Sequence, residues 1–146
     1  DPGFWVGGDT PPLGDPDEPL RLDGLSTQVV GEWYLLGQRA IDEALASVPQ
    51  PAASVGQLWP EHFDHGIDLD AAPGVRTNLG AAAGDDHHDE PYLYVGPWDA
   101  ARPGSVDYWN APFGAVLSYA DVAAAPDPLG RAIEFFLTGV GNLRLG

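Results

Sequence analysis

Two short stretches hold all four histidines of the chain: PEHFDHGIDLD at 60–70 and GDDHHDEPY at 84–92. Both set imidazoles among carboxylates, the mixture found in general acid–base sites and in sites for transition metals. His62 and His65 satisfy an HxxH spacing that chelates well on a helix. On a strand the odd spacing sends the two rings to opposite faces, so His62 with Asp64, two apart, is the better pair. His88 and Glu90 repeat that His-x-carboxylate spacing in a loop that Gly84 and Asp85 allow to bend. Brought together, His62, Asp64, His88 and Glu90 offer two imidazoles and two carboxylates, a set for zinc, manganese or iron. Magnesium and calcium prefer oxygen alone. A coordination position left to water would support hydrolysis.

The same stretches admit other chemistry. Glu61 and Glu90, beside Trp59 and Tyr92, are a candidate carboxylate pair for glycoside hydrolysis. Tyr92, Tyr94 and Trp98 share one strand face, and with Trp59 and Trp109 they are candidates for lining a small-molecule cleft. In that case the histidines and acids form a hydrogen-bonded latch between strand and loop, and the chain is a non-catalytic ligand-binding or protein-interaction module. Enzyme and binding module both stay open at this level. His65 falls on the apolar face and reads as a hydrogen-bonded core or boundary residue rather than a ligand. GxSxG, P-loop, GxGxxG and EF-hand patterns are missing, which leaves the corresponding enzyme and calcium classes unsupported.

The elements that would position these residues are legible from periodicity. Leu25, Val29, Trp33, Leu36, Ala40, Ala44 and Val48 recur at helical spacing, with Ser26 or Thr27 as cap and Pro49 as stop. From His62 to Asp70 the period is two, with Phe63, His65, Ile67 and Leu69 on one face and His62, Asp64, Gly66, Asp68 and Asp70 on the other. VRTNLG at 75–80, YLYVGPW at 92–98 and SVDYW at 105–109 predict three more strands. Ser118 and Asp121 fit a capping box that opens a short helix. Asp127 and Pro128 start a C-terminal helix with Leu129, Ile133, Phe136, Leu137 and Val140 on one stripe and Gly139 or Gly141 at its end. The expectation is an α+β fold, an antiparallel sheet of about four or more strands packed by a long helix in the N-terminal half and a C-terminal helix.

Composition narrows the partners. The 146 residues contain 22 acids against six arginines and no lysine, for a formal net charge of −16, so nucleic acid and anionic membranes are unsuited. With 44% hydrophobic residues the chain builds one core, and a single domain over 1–146 is expected. Cysteine is absent, which removes disulfides and thiolate sites. Neither a leader nor a membrane span is visible, and the expected setting is cytoplasmic. Residues 1–24, rich in Pro, Gly and Asp, predict an extended arm with a short strand at Phe4–Val6. Methionine is absent even at position 1, which suggests the C-terminal piece of a longer chain.

LWPEHFD (58–64), GDDHHDEPYLYVGPW (84–98) and YWNAPFGA (108–115) resemble an uncharacterised actinobacterial protein family with WPEHFD, GDxxHxEPYxYVGPW and FWNAPFGA elements in this order. No activity is assigned to that family, so the resemblance implies positions rather than a reaction. Glu61, His62 and Asp64 fall in the first element, Asp85, His88, Glu90 and Tyr92 in the second, and Trp109 and Asn110 in the third. The resemblance thereby adds Asn110 to the ligand-binding candidates, and leaves His65 and His87 outside the pattern. It also implies a further N-terminal segment. That segment or a basic protein is the expected partner of the acidic arm and loop, beside any small-molecule ligand.

Overall fold

The computed structural model describes residues 15–19, 21–49 and 52–145, and the strand expected at Phe4–Val6 lies outside them. Helix α1 spans Gly24–Ala46 and is capped by Asp23, whose side chain accepts from the Ser26 N–H at 2.8 Å. Ser26 and Thr27, the caps expected from sequence, therefore lie inside the helix, because Asp23 is as good a cap and sits where the turn begins. The buried stripe is Trp33, Gly37, Ala40, Ile41 and Ala44. A Cβ at Gly37 would stand 2.7 Å from that of Ala81, so the glycine lets α1 settle close onto the sheet. Leu25 and Val29 continue the stripe in sequence but stay 77% and 43% exposed. Periodicity fixes the apolar side of a helix, and not how much of its length finds a partner.

Six strands form one antiparallel sheet: β1 (Ala52–Ala53), β2 (Gln57–Trp59), β3 (Asp64–Ala72), β4 (Val75–Ala82), β5 (Tyr92–Pro97) and β6 (Ala115–Ser118). The order is β1-β3-β4-β5-β6, with β2 also on β3, so two short strands share one edge of β3. Alternation sorts the faces. Ile67, Leu69, Ala71, Leu79, Ala81, Leu93, Val95, Ala115 and Leu117 are buried in the core that α1 and α3 (Pro128–Leu143) cover. The opposite face carries Asp64, Gly66 and Asp68 from β3, Asn78 and Gly80 from β4, and Tyr92, Tyr94 and Gly96 from β5. Register aligns Gly66 with Gly80 and Tyr94, and Asp68 with Asn78 and Gly96. The fold is α+β as expected. Among the described residues no helix is long and apolar enough to cross a membrane.

Several local expectations change. Residues 105–109 do not pair as a strand: Val106–Tyr108 is a single 3-10 turn, and the Tyr108 hydroxyl donates to the Phe135 carbonyl at 2.9 Å. Its aromatic rings pack beneath α3, which is why the composition looked like a strand. Helix α3 runs past Gly139 and Gly141 to Leu143, because Gly139 serves close packing against Val95 and the Tyr108 hydroxyl. The short helix α2 (Tyr119–Ala123) opens as expected, with Ser118 accepting from the Asp121 N–H.

Candidate functional site

The sheet face opposite α1 and α3 holds a cleft of about 640 Å³. Its floor is Tyr94, whose ring lies over Gly80: a Cβ there would stand 2.5 Å from the ring and hydroxyl. Two glycines in register, Gly66 and Gly80, thus leave a lane along which the Tyr94 hydroxyl reaches Asp64 on β3. Trp59, Glu61, His62 and Asp64 form one wall, Asn78, Gly96 and Trp98 the other end, and Tyr92 and Phe113 complete the lining.

The first wall depends on a strained corner. Phe63 has φ 50, costly for a bulky residue, and its carbonyl accepts from the Tyr34 hydroxyl of α1. This breaks the strand before Asp64, so His62 and Phe63 lie in the turn instead of on the two β faces expected for them, and Phe63 is 56% exposed. His62 nonetheless lines the cleft together with Asp64.

Asp64 is the chemical centre of the cleft. The residue is only 7% exposed; Oδ2 accepts from the Tyr94 hydroxyl, and Oδ1 is buried without a partner among the described residues. The indole N–H of Trp59, in the same lining, is likewise buried and has no partner among the described residues. Burial pushes the Asp64 carboxyl up from its ordinary range, against the Tyr94 hydrogen bond that holds it down. Burial and the neighbouring Asp64 charge push Tyr34 up to about 12, and the same two causes raise Tyr94 still further.

A folded-state value above the unfolded one means that Asp64 favours the fold when protonated. That contribution is complete below the unfolded value of about 3.9 and is lost as pH rises through the raised value. Asp64→Asn is therefore expected to flatten the decline of stability above pH ~4 and to be the more stable protein at neutral pH, in urea unfolding run across pH. A variant less stable than the parent at pH 7 contradicts this.

The second histidine stretch is built around a different acid. Asp85 Oδ1 accepts from the backbone N–H groups of His87 (2.8 Å) and His88 (3.0 Å), and Oδ2 from the Tyr92 hydroxyl (2.6 Å). Burial alone would raise Asp85, but the Tyr92 hydroxyl and those N–H groups outweigh it and hold the carboxyl below its ordinary range. His88 folds back on its own loop, with Nδ1 3.0 Å from the Glu90 carbonyl oxygen and the ring 5.6 Å from that of Tyr92.

Of the expected metal set, His62 and Asp64 line the cleft, while His88 and Glu90 do not. Among the described residues no group of three or more His, Asp and Glu side chains is placed to hold a metal ion. Of the expected carboxylate pair, Glu61 lines the cleft and Glu90 stays in the exposed loop. Trp59, Tyr92, Tyr94 and Trp98 line it as expected. Trp109 and Asn110 do not: the Trp109 indole donates to the Pro103 carbonyl at 2.8 Å. Asn110 bonds both ways to Val116, accepting from its N–H at 2.8 Å and donating to its carbonyl at 3.0 Å, and so covers part of the free edge of β6.

Sequence reasoning passed over Asn78, whose side-chain oxygen accepts from the Trp98 indole at 2.6 Å. An asparagine on the polar face of a short strand was the available signal. It also passed over Arg76, whose guanidinium sits 3.7 Å from the Trp98 ring centre and pairs with Asp68 and Asp70. Comparison with protein-family models, curated proteins and solved structures gives no match to this chain.

Proposed function

We propose that the chain is a ligand-binding domain whose sheet face opposite α1 and α3 takes a small, non-anionic molecule with a flat or ring-shaped part and at least one hydrogen-bond donor. One observation carries this reading: an aromatic-lined cleft in which a buried acceptor, Asp64 Oδ1, and a buried donor, the Trp59 indole N–H, both lack partners among the described residues. Buried polar groups are nearly always paired, and an unmade bond costs roughly 1–3 kcal/mol. A ligand supplying both bonds recovers that deficit. Glu61 and Asp64 in the lining, with no lysine or arginine among the described lining residues, disfavour an anion. The hydrolytic alternatives draw on fewer residues of the cleft, His62 and Asp64 for a metal and Glu61 for a carboxylate pair.

The test is protein NMR of the indole N–H resonances during titration with neutral sugars, aromatic alcohols and aromatic amines. At least one class is expected to move Trp59 and Trp98 while leaving Trp33 and Trp109 in place, with Trp59→Leu weakening that binding by about tenfold or more. Silence of Trp59 and Trp98 toward every class overturns the proposal.

A further inference from the structure

We infer that the ligand of this cleft carries a protonated primary or secondary amine, whose ammonium sits on Asp64 Oδ1 with its attached chain or ring along the aromatic lining. The inference rests on the binding reading above and narrows it to one chemical class.

The free oxygen of Asp64 has no donor among the described residues. A hydroxyl or amide N–H would satisfy its hydrogen-bonding capacity but leave an ionised carboxylate in a buried place without a counter-charge, an arrangement that is strongly disfavoured. The cleft itself supplies little compensation. Tyr94 gives a neutral hydroxyl to the other oxygen, Glu61 in the same wall adds a second negative charge, and His62 is exposed in the turn. An ammonium provides hydrogen bond and counter-charge together, and such charge-assisted bonds are about twice as strong as neutral ones. The N–H is required, so a quaternary ammonium fits less well.

The aromatic lining points the same way. Trp59, Tyr92, Tyr94, Trp98 and Phe113 line the cleft, and the negative quadrupole of an aromatic face attracts a cation. The fold already uses this chemistry beside the cleft, where the Arg76 guanidinium lies on Trp98 and is held by Asp68 and Asp70. There a cation, a tryptophan ring and two carboxylates form a closed set. Within the cleft, rings and carboxylates are present, and the described lining residues include no arginine or lysine to complete them. At longer range a chain of net charge −16 draws cations toward it and repels anions.

Three probes of similar size separate the possibilities: phenethylamine, 2-phenylethanol and phenylacetate, titrated into the full chain with the Trp59 and Trp98 indole signals as readout. The amine is expected to bind about tenfold or more tightly than the alcohol, a difference of ~1.4 kcal/mol, with phenylacetate weakest. Asp64→Asn, which keeps an oxygen for the Tyr94 hydroxyl but puts a neutral N–H donor in place of the free carboxylate oxygen, is expected to abolish the amine-over-alcohol preference. A measurement on the unmodified chain guards against misfolding of that variant: the carbon-13 titration of the Asp64 carboxyl should move to lower pH with phenethylamine and stay put with phenylethanol. Tyr34, Tyr92, Tyr94, Glu61 and His62 all bear on that carboxyl, so the comparison is made between ligands in the same protein. Alcohol or acid binding as tightly as the amine, or a carboxyl titration that the amine does not move, overturns the inference while the cleft remains a binding site. Trp59 and Trp98 unmoved by all three probes count against the cleft reading itself.

Discussion

Gly80→Ala is expected to lower stability by about 2–4 kcal/mol and to abolish ligand binding in the cleft. The added methyl falls 2.5 Å from the Tyr94 ring carbon and hydroxyl, a distance that forces the ring off the sheet. With the ring go its packing over Gly80 and its hydrogen bond to Asp64. Urea unfolding measures the loss, and the Tyr94 ring resonances report the displacement. Gly141→Ala is the reference, because nothing stands within 4 Å of that position in α3 and alanine is the better helix former. Equal stability of Gly80→Ala and the parent would mean that the Tyr94–Asp64 contact does not organise the cleft.

Phe136→Ala should be the most damaging truncation of the core, at about 3–5 kcal/mol. Phe136 is fully buried in α3 and packs against Phe135 at 5.5 Å between ring centres. A domain of this kind has only ~5–15 kcal/mol in total, so the variant should be largely unfolded at modest denaturant. The same truncation at Leu25, 77% exposed on α1, should change stability by no more than ~0.5 kcal/mol although both residues lie on predicted apolar stripes. Comparable losses at the two positions would contradict the placement of the core. The pair tests packing independently of the cleft, because Phe136 lies beneath the covered face of the sheet.

Much of this architecture is written in local sequence. The apolar alternation from His65 to Leu69 places one face of β3 against the helices, and the Asp127-Pro128 and Ser118-x-x-Asp121 signals open α3 and α2 where observed. These readings depend on neighbours a few residues apart. The row Tyr92, Tyr94, Trp98 was likewise legible, since period two puts these side chains on one face wherever the strand is placed.

Other features depend on parts of the chain far apart in sequence. Whether Trp33 or Leu25 is buried depends on where the sheet ends beneath α1. Whether His62 belongs to a strand depends on Tyr34 holding the carbonyl of Phe63, 29 residues further along the chain, in a turn with φ 50. His62-x-Asp64 and His88-x-Glu90 look equivalent as strings, yet the first lines the cleft and the second folds onto its own loop, because Asp85 takes up the N–H groups of His87 and His88. Composition, spacing and alternation by themselves determined the α+β class, the sides of the main helices and strands, and the aromatic row. Only tertiary structure decided that Tyr94 crosses two glycines to Asp64 and leaves one buried oxygen free, because cross-strand register and close approach arise when β3, β4 and β5 pair.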